Sequence, residues 1–184
     1  YYGYDVKQDY TKARQYYELA AKQNNSDSLN NLGNIYYYGY DVKQDYTKAR
    51  QYYESVTNQN NSDSLNNLGN IYYYGLSVEQ DYKKAREYYE LAIKQNNSAA
   101  MNSLGNIFYN GQGIEQDFIF AKYFYESAAK LNNSDALNNL GNAYSEGKGV
   151  NQNFSEAKKN YELAAQQNNP NALYNLGNLY FYGI

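Results

Sequence analysis

The chain has 184 residues, 16 Lys plus Arg against 19 Asp plus Glu, a formal charge of −3, and neither Cys nor His. Those absences exclude a disulfide frame, thiolate or imidazole metal ligands, a Ser-His-Asp triad and an imidazole base. The weak negative charge argues against nucleic-acid binding by bulk electrostatics, and no apolar run reaches the roughly 18 residues of a membrane span. No cofactor, metal or catalytic residue is therefore expected. Lack of cysteine suits a reducing cytoplasm, slightly favoured here, and is compatible with export. No signal-like segment opens the sequence.

The first predicted helix runs from about Tyr10 to Gln23, capped by Asp9. Arg14, Glu18 and Lys22, four apart, line its exposed side, and Tyr10, Ala13, Tyr17, Ala20 and Ala21 form its buried stripe. The second helix runs from Ser26 to Tyr38. Its start is marked by Asn25, because the last copy reads Asn169-Pro170, and proline is favoured just after an N-cap. Gly39 ends it in a left-handed conformation. Ser28, Leu29, Leu32, Gly33 and Tyr36 fall on one side, and Asp27, Asn30, Asn34, Tyr37 and Tyr38 on the other. We call the 10–23 type of helix B and the 26–38 type A.

The same pair then recurs. Leu-Gly-Asn appears at Leu32, Leu68, Leu104, Leu140 and Leu176, every 36 residues without insertion or deletion. This places helix pairs at 9–38, 45–74, 81–110, 117–146 and 153–182. The 184 residues read as a single repeat domain, a piece of a longer array. A glycine inside a helix costs roughly 0.8–1 kcal/mol against alanine, so Gly33 and its copies imply a close approach. The small residues Ala13 and Ala20 of helix B are the expected neighbours.

The spacing A-x-x-x-L-G-x-x-[Y/F]-x-x-G, followed by a branched apolar residue, Asp, Lys-Ala and paired aromatics, resembles the Sel-one-like repeat of the tetratricopeptide-like group. Ala100, Leu104, Gly105, Phe108, Gly111, Gly113, Ile114, Asp117 and Ala121 carry it most fully. Asp5, Asp41 and Ser77 depart from the second loop glycine, which puts that turn's geometry in question. The resemblance implies an all-α, α/α superhelical solenoid whose A helices line a concave groove. It also implies an interaction scaffold or adaptor without a common catalytic activity.

On that implied groove face stand Asn30, Asn66, Asn102 and Asn138, then Asn34, Asn70, Asn106, Asn142 and Asn178, with Tyr37, Tyr38, Tyr73, Tyr74 and Tyr109 beside them. Asparagine amides match a peptide backbone, and tyrosines offer flat apolar faces with a polar tip. The expected ligand is a protein or extended peptide. A structural role for the asparagines within the solenoid is the competing reading. No Lys or Arg lies on any A helix, which argues against a clamp for acidic tails and favours a neutral to basic segment. Two rival roles are a spacer or array that associates end to end, and a regulatory segment of a larger enzyme. The sequons at Asn24, Asn60, Asn96 and Asn132 are copies of one inter-repeat turn, whereas that at Asn153 stands apart. Gly111-Gln112-Gly113 lacks the Lys-Ser/Thr of a phosphate loop.

Overall fold

The computed structural model describes residues 7–183. Among them are ten α-helices and no strand: α1 Tyr10–Ala21, α2 Ser26–Tyr38, α3 Tyr46–Glu54, α4 Ser62–Tyr74, α5 Tyr82–Ile93, α6 Ser98–Asn110, α7 Phe118–Lys130, α8 Ser134–Glu146, α9 Phe154–Ala165 and α10 Pro170–Tyr182. The odd-numbered helices are the B type and the even-numbered ones the A type.

The A helices begin and end where their chemistry dictates. The side chains of Asn25, Asn61, Asn97, Asn133 and Asn169 accept from the backbone N–H three residues on, and a left-handed glycine closes each helix, from Gly39 to Gly183. B helices are capped by Asp9, Asp45, Asp117 and Asn153. α1, α5 and α9 end two residues before the predicted Gln23 position and α7 one residue before it, because Asn24, Asn60, Asn96, Asn132 and Asn168 take positive φ near 54–60° and turn the chain. That turn accounts for four of the five sequons. α3 is the short one, at nine residues. Ser55 Oγ and Thr57 Oγ1 donate to the carbonyls of Tyr52 and Glu54, competing with the helical ladder, and a 3-10 turn, Thr57–Gln59, follows. Asp41 and Ser77 hold φ of 56° and 55°, the same left-handed turn that Gly113 and Gly149 make, so loss of the loop glycine leaves the turn intact.

The chain divides into two compact units, one ending at Asp81 and one starting at Tyr82. In the first, α1 packs on α2, α2 on α3 and α3 on α4. In the second, α5 through α10 pack successively on their neighbours in sequence. The B-helix stripe is buried as its pattern requires: Ala49 and Tyr53 in α3 with Val56 just beyond its end, Ala121, Tyr125 and Ala128 in α7, and Ala157, Tyr161 and Ala164 in α9. In α1 the matching Ala13, Tyr17 and Ala20 are only half-buried. Exposed i,i+4 pairs such as Arg14–Glu18 (3.4 Å) and Lys122–Glu126 (3.1 Å) run along the outer sides and contribute little each.

The helix glycines meet a different neighbour from the one expected. A Cβ on Gly33 would lie 2.3 Å from the ring of Tyr53, one on Gly105 2.6 Å from Tyr125, and one on Gly141 2.3 Å from Tyr161. The notch receives the tyrosine of the next B helix, and not the alanines of the preceding one. A flat ring laid against bare helix backbone buries more apolar area than two methyl groups.

Candidate functional site

The asparagine after each of these glycines is tied to the same tyrosine. Tyr53 Oη donates to Asn34 Oδ1 at 2.8 Å, Tyr125 to Asn106 at 2.7 Å and Tyr161 to Asn142 at 2.8 Å. A second donor reaches the same oxygens from the next A helix: Asn67 Nδ2 at 3.1 Å, Asn139 at 3.2 Å and Asn175 at 3.1 Å. Each bridging amide also touches the asparagine four residues earlier, at Asn30 (3.4 Å), Asn102 (2.9 Å) and Asn138 (2.9 Å). The bridging residues were not singled out in the sequence. They sit one position from the series that was, and their role shows only across a 36-residue step.

The structure therefore separates the candidate residues. Asn30 and Asn138 are 7% and 6% exposed, inside the helix packing and away from any open face. Asn30 Oδ1 also accepts from Ser64 Oγ at 2.9 Å. A helical wheel places them outward because it treats every polar side chain as solvated, whereas here the hydrogen bonds compensate for burial. Asn66, Asn70, Asn102 and Asn178 are half-buried. Asn34, Asn106 and Asn142 are half-buried too, with both acceptor sites of the amide oxygen engaged. Among the described residues, no hydrogen bond takes up their Nδ2 groups, so each amide is oriented by its oxygen. Asn34 also borders a cleft of about 1020 Å³ between α1 and α2, lined further by Ala13, Tyr17 and Asn31.

The aromatic candidates divide as well. Tyr38 and Tyr74 are exposed. Tyr37 is half-buried, edge-on to Tyr38 (4.9 Å) and Tyr46 (5.3 Å), and burial pushes its phenol up to about 12. Tyr73 stands edge-on to Tyr74 at 4.7 Å. A loop glutamine fixes the backbone of this turn: Gln44 Nε2 donates to the Tyr37 carbonyl at 2.8 Å, Gln80 to Tyr73 at 2.7 Å, Gln116 to Tyr109 at 2.7 Å and Gln152 to Ser145 at 2.8 Å. Tyr109 is different. Its hydroxyl donates to Glu146 Oε2 at 2.7 Å, and Lys148 Nζ reaches the same oxygen at 2.7 Å while lying 5.0 Å from the Tyr109 ring. Partial burial alone would raise the Glu146 carboxyl, but the bonds from Lys148 and Tyr109 outweigh it and hold it below its ordinary value. Lysine is absent from every A helix, yet a loop lysine reaches this face.

Sel1 repeats match the chain at residues 1–25, 26–61, 62–97, 98–133, 134–169 and 170–184. A Sel1 repeat protein from Oxalobacter formigenes is similar in structure, with a TM-score of 0.86, 30% identity, and coverage of 95% of this chain and 71% of that one. A protective antigen of uropathogenic Escherichia coli displaying an SLR fold is 29% identical with a TM-score of 0.78, over 97% of this chain and 38% of its own. Helicobacter pylori cysteine rich protein B is 27% identical with a TM-score of 0.54, over 69% of this chain and 91% of its own. No curated protein matches the sequence. No helix among the described residues is long and apolar enough to cross a membrane. Proteins of this kind are in general protein-interaction scaffolds, and the fold is typically non-catalytic. With ten helices, no strand among the described residues and a matching repeat along the whole length, this all-α repeat solenoid belongs to the Sel1 repeat family.

Proposed function

We propose that the protein is an interaction scaffold whose A-helix face, within each unit, receives an extended segment of a partner protein. The observation that carries this reading is the fixed orientation of Asn34, Asn106 and Asn142. Two internal donors hold each amide oxygen, which leaves the Nδ2 hydrogens as donors for a backbone carbonyl. An amide already oriented loses little freedom on binding. In the first unit Tyr38, one turn beyond Asn34, and its copy Tyr74 supply exposed aromatic faces. Asp27 and Asp63 on the first turns favour a neutral to basic ligand. In the second unit Lys148 neutralises Glu146, so that preference is weaker there.

Asn→Asp at positions 34, 106 and 142 separates binding from folding. Aspartate keeps the oxygen that Tyr and Asn donate to and replaces the outward donors by a charged acceptor. Against peptides selected from a display library on the wild-type protein, the triple variant is expected to melt near the wild type and to bind at least about tenfold more weakly. Unchanged binding sinks the amide ladder and leaves these asparagines a structural role.

A further inference from the structure

One B helix carries an outer surface unlike the others. At three outward positions α1, α3, α5 and α9 bear Thr11, Lys12 and Gln15; Thr47, Lys48 and Gln51; Lys83, Lys84 and Glu87; and Ser155, Glu156 and Lys159. In α7 the same positions are Ile119, Phe120 and Tyr123, and they are 71%, 52% and 60% exposed. The substitution reaches inward as well. In the first unit Lys48 Nζ donates to Tyr36 Oη at 2.7 Å and lies 4.0 Å from that ring, a polar seal over the aromatic pair Tyr36 and Tyr52. In the second unit Tyr36 and Lys48 become Phe108 and Phe120, stacked at 5.3 Å, with Phe124 on the other side of Phe108 at 5.6 Å. The seal has become a continuous apolar stack that opens to solvent.

We infer that this face of α7 is the contact surface of a two-fold dimer, and that its occupant is α7 of a second copy of the chain, packed antiparallel. Charge selects both the occupant and the direction. Exposed Glu115 and the cap Asp117 lie at the start of α7, and exposed Lys130 lies in its last turn. Antiparallel pairing sets Lys130 of each copy against Glu115 of the other and opposes the helix dipoles, whereas parallel pairing sets like against like. Lys122, beside the apolar centre, is already matched by Glu126 on its own helix. Two-fold symmetry needs only one self-complementary patch, and an apolar patch with opposite charges at its two ends is one. From typical sizes of such side chains the three residues leave about 350 Å² open per copy. Doubled, that is about 700 Å², short of the roughly 1,200 Å² of stable interfaces, so the dimer is expected to be weak and transient, with a Kd on the order of 100 µM.

Sedimentation velocity of the 184-residue protein from about 1 to 500 µM tests this. The wild type is expected to pass from monomer to dimer and to stop there. The variant Ile119→Thr/Phe120→Lys/Tyr123→Gln carries the outward residues of α3 and is expected to dimerise at least about tenfold more weakly with an unchanged helical spectrum. Lys130→Glu is expected to weaken the dimer, and adding Glu115→Lys to restore it. A wild type that stays monomeric throughout overturns the dimer. A triple variant that associates like the wild type moves the contact to another surface, and failure of the charge swap to restore pairing overturns the antiparallel arrangement.

Discussion

The ring of Tyr53 lies where a Cβ of Gly33 would be, and its hydroxyl bonds Asn34, the very next residue. One side chain thus accounts for two neighbouring residues of the repeat signature. The glycine makes room for the ring, and the asparagine satisfies the hydroxyl.

The first prediction concerns the glycines. Gly105→Ala and Gly141→Ala drive a methyl into a buried ring and are expected to cost about 1–3 kcal/mol, more than the helix propensity they gain. Gly177 has nothing within 4 Å of its notch and sits in a helix. Gly177→Ala is expected to stabilise by up to about 1 kcal/mol. Urea denaturation of the three variants gives the signs directly.

Alkaline stability should follow the buried tyrosines. Burial raises the phenol of Tyr53 above its ordinary 10.0, and Tyr161 shifts the same way. A raised phenol contributes stability below the unfolded value and loses it as pH rises from about 10 toward the folded one. Tyr53→Phe is expected to cost about 1 kcal/mol near neutrality, for the lost bond to Asn34. That deficit should shrink above pH 10, because one ionising group is gone. Urea melts at pH 8 and 10.5 compare the two proteins, and a constant gap between them would refute the linkage.

Glu146 gives the acid counterpart. Its carboxyl is held below the ordinary 4.5, so its contribution is present above that value and disappears as pH falls through the lower folded one. The difference in melting temperature between wild type and Glu146→Gln should therefore be constant from pH 7 to 5 and should fade below about 4.

The exchange of Tyr36 and Lys48 for Phe108 and Phe120 predicts coupling. Phe120→Lys alone places an ammonium over a ring with no hydroxyl to bond. Combined with Phe108→Tyr it recovers the bond seen between Lys48 and Tyr36. A double-mutant cycle is expected to show about 0.5–1 kcal/mol of favourable interaction. An additive result would mean that the two pairs are independent.

The helix starts and the ends of the A helices were legible because caps are local: Asn25, Asp9 and Gly39 declare themselves through their immediate neighbours, whereas the B helices end earlier than their pattern suggests. The repeat and the family were legible from the 36-residue period. The neighbour of Gly33 was not, since small residues and flat rings satisfy a notch equally well until distances are known. Asn30 looked exposed because its partners, Ser64 and Asn67, lie 34 and 37 residues away. Lys148 was placed off the A-helix face by its position in a loop, although its side chain reaches back to Tyr109. Contacts within one helix turn read well from the sequence, and contacts between repeats did not.

The doubly bonded oxygens of Asn34, Asn106 and Asn142 also limit how such a scaffold can diversify. A change that removes the amide oxygen of these asparagines disturbs the lock between successive helices before it alters any ligand contact. The last turn of the A helix is less restrained, because Gln44 and its copies grip only backbone carbonyls there and the side-chain bond between Tyr109 and Glu146 belongs to the second unit. That is where the copies differ: Tyr37, Tyr73, Tyr109, Ser145 and Phe181 occupy one position, and Tyr38, Tyr74, Asn110, Glu146 and Tyr182 the next. New partner preferences can accumulate at the ends of these helices while their middles stay bound to folding.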